Sequence, residues 1–288
     1  MADPPGAPTT STSPHVFVFV HGFLGNSLDL RLVRDHVFMV NPKSLYLLSA
    51  CNQDRTYDDL RTQGARLAQE ISDQLHVWFS PTCAWRRTLR RITFVGHSIG
   101  NLIIRVALTD PLLAPYHLYF HTFLSISGPH LGYLYSSNTL FDSGIWFLKK
   151  MKQSECLKQL TFTDSQRMES CFLYELAQKK GLGLFKHLIL VSSPQDGYVP
   201  LHSSRITNCL AATNDPKRGT SFSDMLRNLL EPLVDNSGRT LVRADVHFAH
   251  HKVPRTFNSF VGRAAHLEFL ETDVYLRFLL WTHRDYLR

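Results

Sequence analysis

The chain has 288 residues, 44% hydrophobic and 19% charged, a composition that suits one large α/β domain or two small ones. Its formal net charge is +7, but the only local concentration, WRRTLRR at 85–91, precedes an apolar run and reads as the solvated end of a connection, so nucleic-acid binding is not expected. The five cysteines (Cys51, Cys83, Cys156, Cys171, Cys209) are odd in number and lack C-x-x-C spacing, which argues against a disulfide framework or a zinc site.

Residues 1–14 are Pro, Ser, Thr and small residues without an apolar period, and a disordered tail is expected there. They lack the basic start and apolar core of a secretory signal, and no later stretch reaches the ~18 apolar residues of a membrane span. A cytoplasmic protein is the expectation.

From residue 15 onward, short apolar runs alternate with helical or loop-like segments. HVFVFV (15–20), SLYLLS (44–49), ITFVG (92–96), HTFLSIS (121–127), HLILVSS (187–193) and TLVRADV (240–246) are the candidate strands. Several are apolar at nearly every position, as strands of a parallel sheet covered on both faces should be. The expected fold is therefore an α/β domain over residues 15–288, with a mostly parallel sheet flanked by helices.

Between the second and third strands, residues 56–79 predict a crossover helix, with Thr56 and Asp59 spaced as a capping box and Leu60, Leu67, Ile71 and Leu75 at helical spacing. A second helix is expected over 97–108. A closing helix near 270–283 is expected to pack Val274, Leu276, Phe278, Leu279 and Trp281 on the sheet. Two regions break the alternation. Residues 133–180 read as a helical cap, including a stripe of Ile145, Phe147, Leu148, Met151, Leu157 and Leu160; residues 207–239 read as a second insertion ending in a short helix bounded by Pro232.

Gly96, His97, Ser98, Ile99 and Gly100 spell G-x-S-x-G between a strand and a helix, the setting of a nucleophile elbow. A serine hydroxyl is a poor nucleophile at neutral pH, so a histidine base and an orienting carboxylate are required, in the order Ser, acid, His. Asp196 follows the fifth strand in PQDGYVP, at a carboxyl end where ligand sites of α/β sheets lie. Of the later histidines (His202, His247, His250, His251, His266 and His283), His266 lies after the last strand and just before the closing helix, which makes it the candidate base. His247, His250 and His251 lack a carboxylate at ligand spacing, so no metal is expected, and no cofactor is called for. An oxyanion needs backbone donors: Ile99 supplies one, and Phe23 or Leu24 in HGFLGN (21–26) the other.

Taken together, HGFLGNSLDLRLV, GHSIGNLIIR, SGPHLGYLY, SPQDGYVP and GRAAH resemble the serine esterase, or lipase-like, family of the α/β-hydrolase superfamily, and in it the C-terminal lipase-like domain of the proteins called family with sequence similarity 135. The resemblance spans residues 15–288. It implies Ser98, Asp196 and His266 as the triad, and Phe23 and Leu24 with Ile99 as the oxyanion hole. It also places His21, Gly22, His97, Pro129, His130 and Leu131 near the substrate, with His130 more a hydrogen-bonded structural residue than a second base.

The expected activity is hydrolysis of a carboxylic ester, lipid-like in substrate, through an acyl-enzyme. Peripheral contact with a membrane would use Trp146 and Phe147 beside Lys149, Lys150 and Lys152, unless that face packs inward. Two other classes stand beside it: a hydrolase scaffold that has lost its chemistry and serves as an interaction domain, and an acyltransferase that uses the same residues.

Overall fold

The computed structural model describes residues 14–80, 89–136, 154–179, 181–234, 238–248 and 266–288. Strands β1 (His15–Val20), β2 (Leu45–Leu48), β3 (Arg91–His97), β4 (Phe120–Ile126), β5 (His187–Ser192) and β6 (Thr240–Asp245) form one sheet in the order β2-β1-β3-β4-β5-β6. Every neighbouring pair is parallel. All six lie within a residue of their sequence expectation at either end, because a doubly covered strand carries its signal in both faces.

Side-chain alternation divides the core. Val16, Val18 and Val20 of β1 join one cluster with helices α2 (Leu60–Phe79) and α3 (Gly100–Ala107); Phe17 and Phe19 join a second cluster on the opposite face with Val33 and Val37 of α1 (Arg31–Val40) and with Leu276 and Leu279 of the closing helix Asp273–Thr282. That helix is less buried than its sequence suggests. Val274, Phe278 and Trp281 are exposed at 75%, 72% and 60%, so its buried stripe runs through Leu276, Leu279 and Leu280 instead.

The start of α2 also differs from expectation. Asp59 is the N-cap, its carboxylate accepting from the amides of Arg61 and Thr62 at 2.6 and 3.3 Å, while Thr56 is buried and bonds elsewhere. The helix Gly219–Val234 runs past Pro232, which lies inside its last turn and does not end it. Of the expected cap, the described part from residue 154 packs into the main body. Cys156, Leu157, Leu160, Phe172 and Leu173 belong to the same cluster as α2 and α3. Residues 1–13 of the expected tail, the segment holding Ile145 to Met151 with Trp146 and the three lysines, and His250 and His251 lie outside the described residues.

Candidate active site

Ser98 occupies the turn between β3 and α3 with φ +53°. A non-glycine residue in this left-handed region is strained, and such strain gathers at functional turns. The flanking glycines make the turn possible. A Cβ on Gly100 would stand 2.3 Å from the Val20 carbonyl oxygen, and one on Gly96 would stand 2.4 Å from Asn101 Oδ1. Asn101, fully buried, donates from Nδ2 to the carbonyls of Ser98 at 3.0 Å and Ile126 at 3.1 Å, while the Ser98 amide donates to Ile126 O at 3.0 Å. The elbow is thereby fastened to the end of β4.

Asp196 lies in the turn after β5 and His266 opens the helical residues 266–271. His266 Nδ1 is 2.8 Å from Asp196 Oδ2, and both residues are buried. Asp196 Oδ1 accepts from the amides of Tyr198 at 2.8 Å and Val199 at 3.0 Å, and Oδ2 accepts also from the Ser127 hydroxyl. Burial alone would raise this carboxyl, but the charge and hydrogen bond of His266, with the bonds from Ser127 and Val199, outweigh it and hold Asp196 below its ordinary value. The carboxylate is the favoured form.

His97 links His266 to the Ser98 turn. Its ring lies 4.7 Å from that of His266, and its Nε2–H donates to the His266 carbonyl at 3.1 Å. Burial, then the His266 ring, lowers His97 to about 3, so this imidazole is neutral. The other expected bases stand elsewhere: His202 is ring-packed on Phe222, His247 is exposed, and His283 bonds Leu279 O. Among the described residues Ser98 Oγ makes no hydrogen bond to His266. Such bonds often tighten only when substrate arrives.

The loop after β1 closes on the elbow, with a Cβ on Gly22 falling 2.9 Å from Ser98 Cβ. The amides of Ile99 and Phe23 make no hydrogen bond among the described residues, whereas the Leu24 amide donates to Thr56 Oγ1 at 3.0 Å. Of the amides expected at an oxyanion hole, that of Leu24 is thus committed to Thr56, and those of Phe23 and Ile99 are not committed among the described residues.

Of the expected substrate contacts, His21, Gly22, His97, Pro129, His130 and Leu131 are all buried. His130 Nε2 pairs with Ser125 Oγ at 2.8 Å, its carbonyl takes Arg105 Nη1 at 2.9 Å, and burial with the Arg105 charge pushes it well below its ordinary value. The Leu131 amide donates to Ser203 Oγ at 3.0 Å. Three neighbours of the site escaped sequence reasoning: Ser127, Tyr198, whose ring is 5.3 Å from His266, and Tyr133, a phenol raised by burial and next by the Asp196 charge. All three stand inside motifs, Ser127 and Tyr133 in SGPHLGYLY and Tyr198 in SPQDGYVP, but nothing in the residue pattern marks them as neighbours of His266.

The sequence pattern of the family described as "Putative serine esterase (DUF676)" matches residues 10–209. The chain belongs to this serine esterase family. The match contains Ser98 and Asp196 and ends before His266. In its fold the esterase chain is an α/β hydrolase, a parallel sheet flanked by helices with the serine on a strand-to-helix elbow.

Among solved structures, the esterase chain is similar to the lin2722 gene product of Listeria innocua, at 14% identity over 93% of both chains with a TM-score of 0.54. It is also similar to Aspergillus fumigatus lipase B (13% identity, 69% of this chain and 42% of that one, TM-score 0.48). A third likeness is to a lipase-esterase related protein of Clostridium acetobutylicum (11% identity, 95% and 96%, TM-score 0.44). The chain spans less than half the length of the Aspergillus lipase. No helix among the described residues is long and apolar enough to cross a membrane.

Proposed function

We propose that this esterase cleaves carboxylic esters through an acyl-enzyme on Ser98. The observation that carries the reading is a buried His266–Asp196 pair, Nδ1 to Oδ2 2.8 Å, joined to the strained Ser98 turn through the adjacent His97, whose Nε2 bonds the His266 carbonyl at 3.1 Å. With Nδ1–H committed to Asp196, His266 presents Nε2 as the acceptor. It takes the proton of Ser98 as Oγ attacks the carbonyl carbon, and Asp196 stabilises the imidazolium that forms. Negative charge on the former carbonyl oxygen is received by the amides of Phe23 and Ile99. His266 then protonates the leaving alcohol, and water repeats the sequence to release the acid.

A lipid-like ester is the substrate class we infer. Phe23 and Tyr57 pack edge to face at 5.0 Å beside the oxyanion loop, and the same loop exposes Leu24 and Leu28 at 51% and 60%. Such a rim suits an apolar acyl chain better than a charged one. The test is labelling with a fluorophosphonate and turnover of p-nitrophenyl esters of graded length. Wild type should label and hydrolyse, preferring the longer chains, and Ser98→Ala should lose both while melting at the same temperature. Equal labelling of the two proteins would remove Ser98 from its role.

A further inference from the structure

One hydroxyl faces both members of the base-acid pair. Ser127 Oγ donates to Asp196 Oδ2, and the same oxygen lies 3.3 Å from His266 Nδ1. Ser127 is only 1% exposed and has φ +47°. Glycine adopts that conformation without penalty, whereas serine there is strained. The turn is held by the Ser127 amide donating to Val191 O at 2.8 Å and by the Ser98 amide on the preceding carbonyl, Ile126 O. A strained, buried serine whose side chain goes to a carboxylate indicates that the hydroxyl, absent from glycine, is what the position supplies.

We propose that Ser127 is a positioning residue that fixes the charge and orientation of Asp196, and through it the imidazole of His266. The proposal rests on the reading of Ser98, Asp196 and His266 as the triad. Ser127 forms and breaks no covalent bond. Its donor shares the negative charge on Oδ2 with His266 Nδ1–H, while the Tyr198 and Val199 amides hold Oδ1. Four donors on one carboxylate leave it a single orientation.

Removing the hydroxyl has two consequences. The carboxylate loses one of its restraints, so the imidazole is aimed less well at Ser98 and kcat falls. Oδ2 also loses a neutral partner, so it holds an imidazolium more strongly, and the acid limb of the rate profile moves to higher pH. Among the described residues, the other groups facing the pair are His97, Tyr198 and Tyr133. Burial keeps His97 neutral, at about 3, and raises Tyr133, so neither changes charge near neutrality.

The experiment compares the full chain as wild type, Ser127→Gly and Ser127→Ala, with p-nitrophenyl butyrate hydrolysis and fluorophosphonate labelling from pH 5 to 9. Glycine relieves the φ strain, which keeps that variant folded even where alanine destabilises. Ser127→Gly should melt no lower than wild type, lose about 10-fold in kcat with KM little changed, and shift the acid limb up by roughly half a pH unit. Ser127→Ala should do the same to the limb. Unchanged kcat and limb in Ser127→Gly, or slower turnover with an unmoved limb, overturns the positioning role while Ser98 still labels. A wild type that fails to label at Ser98 overturns the triad reading, and this proposal with it.

Discussion

Acid should unfold this esterase through histidines that the fold keeps neutral. His15, His97 and His121 are each lowered to about 3, in every case by burial first, then by neighbours: His121 and Arg91 at His15, Arg91 and His187 at His121, and the His266 ring at His97. Two of them stand at the amino ends of the strands, where rings run from His15 to His121 at 6.0 Å, on to His187 at 4.9 Å and to Tyr286 at a further 4.9 Å. A base depressed in the fold takes its proton more readily when unfolded. Its contribution is therefore complete above ~6.5, the unfolded value, and is lost as pH falls toward 3. From pH 6.5 to 5 the loss is about 1.5 units at about 1.36 kcal/mol each, or about 2 kcal/mol per histidine. The His121 charge lowers His15, so the losses do not simply add, but even one is a sizeable fraction of the stability of an ordinary domain. Urea midpoints at pH 7, 6 and 5 should fall steeply at constant m-value. His15→Gln should recover about 2 kcal/mol relative to wild type between pH 7 and 5. A wild-type stability flat over that interval, or a variant with the wild-type slope, would refute the reasoning.

Gly22→Ala places a Cβ 2.9 Å from Ser98 Cβ and 3.3 Å from His97 Nδ1. The elbow is too constrained to yield, so the oxyanion loop moves and the Phe23 amide loses its aim; kcat should fall roughly 100-fold with little change in melting temperature, read by steady-state kinetics. Thr56→Val keeps the shape of the side chain but leaves the Leu24 amide without its acceptor, at a cost of about 1 kcal/mol or more in urea unfolding, with lower kcat. Thr56→Ser should restore both, and equal stability of the valine variant would show that the bond does not hold the loop.

Much of the fold was legible because the strands are covered twice. In β1, Phe17 and Phe19 face one layer while Val16, Val18 and Val20 face the other, so the whole run is apolar and its ends are sharp. Helix α1 gave no such signal, since it has neither a side-chain cap nor an acidic residue in its first turn. Ser98, Asp196 and His266, the residues proposed here as a triad, stand out in the sequence as an ordered set of residue types, each at the carboxyl end of a strand or just before a helix, and the structure pairs the last two at 2.8 Å. Their supports do not. Thr56 fits a capping pattern, but the tertiary demand of the Leu24 amide claims it and leaves the cap to Asp59. Nearness in sequence to a motif also says little about which way a loop faces: His130 bonds Ser125 and the Leu131 amide bonds Ser203, while Ser127, the start of the same motif, turns toward Asp196.

Three left-handed non-glycine residues, Leu24, Ser98 and Ser127, follow the adjacent strands β1, β3 and β4. Each costs of the order of 1 kcal/mol, which persists only where the surroundings over-determine the backbone. They do so here. Gly22 and Gly100 allow backbone and elbow to touch, Asn101 ties Ser98 to Ile126, and Thr56 captures the Leu24 amide. The turns that carry Leu24, Ser98 and Ser127 are thus set by the sheet itself. His266 differs in kind. Its side chain is fixed by Asp196 and its carbonyl by His97, but no bond joins it to Ser98 among the described residues. The one distance left to close is therefore that between imidazole and hydroxyl. Substitutions at Asp196, Ser127 and His97, which act on the imidazole alone, should lower kcat more than KM, whereas changes at Gly22 reach the oxyanion as well.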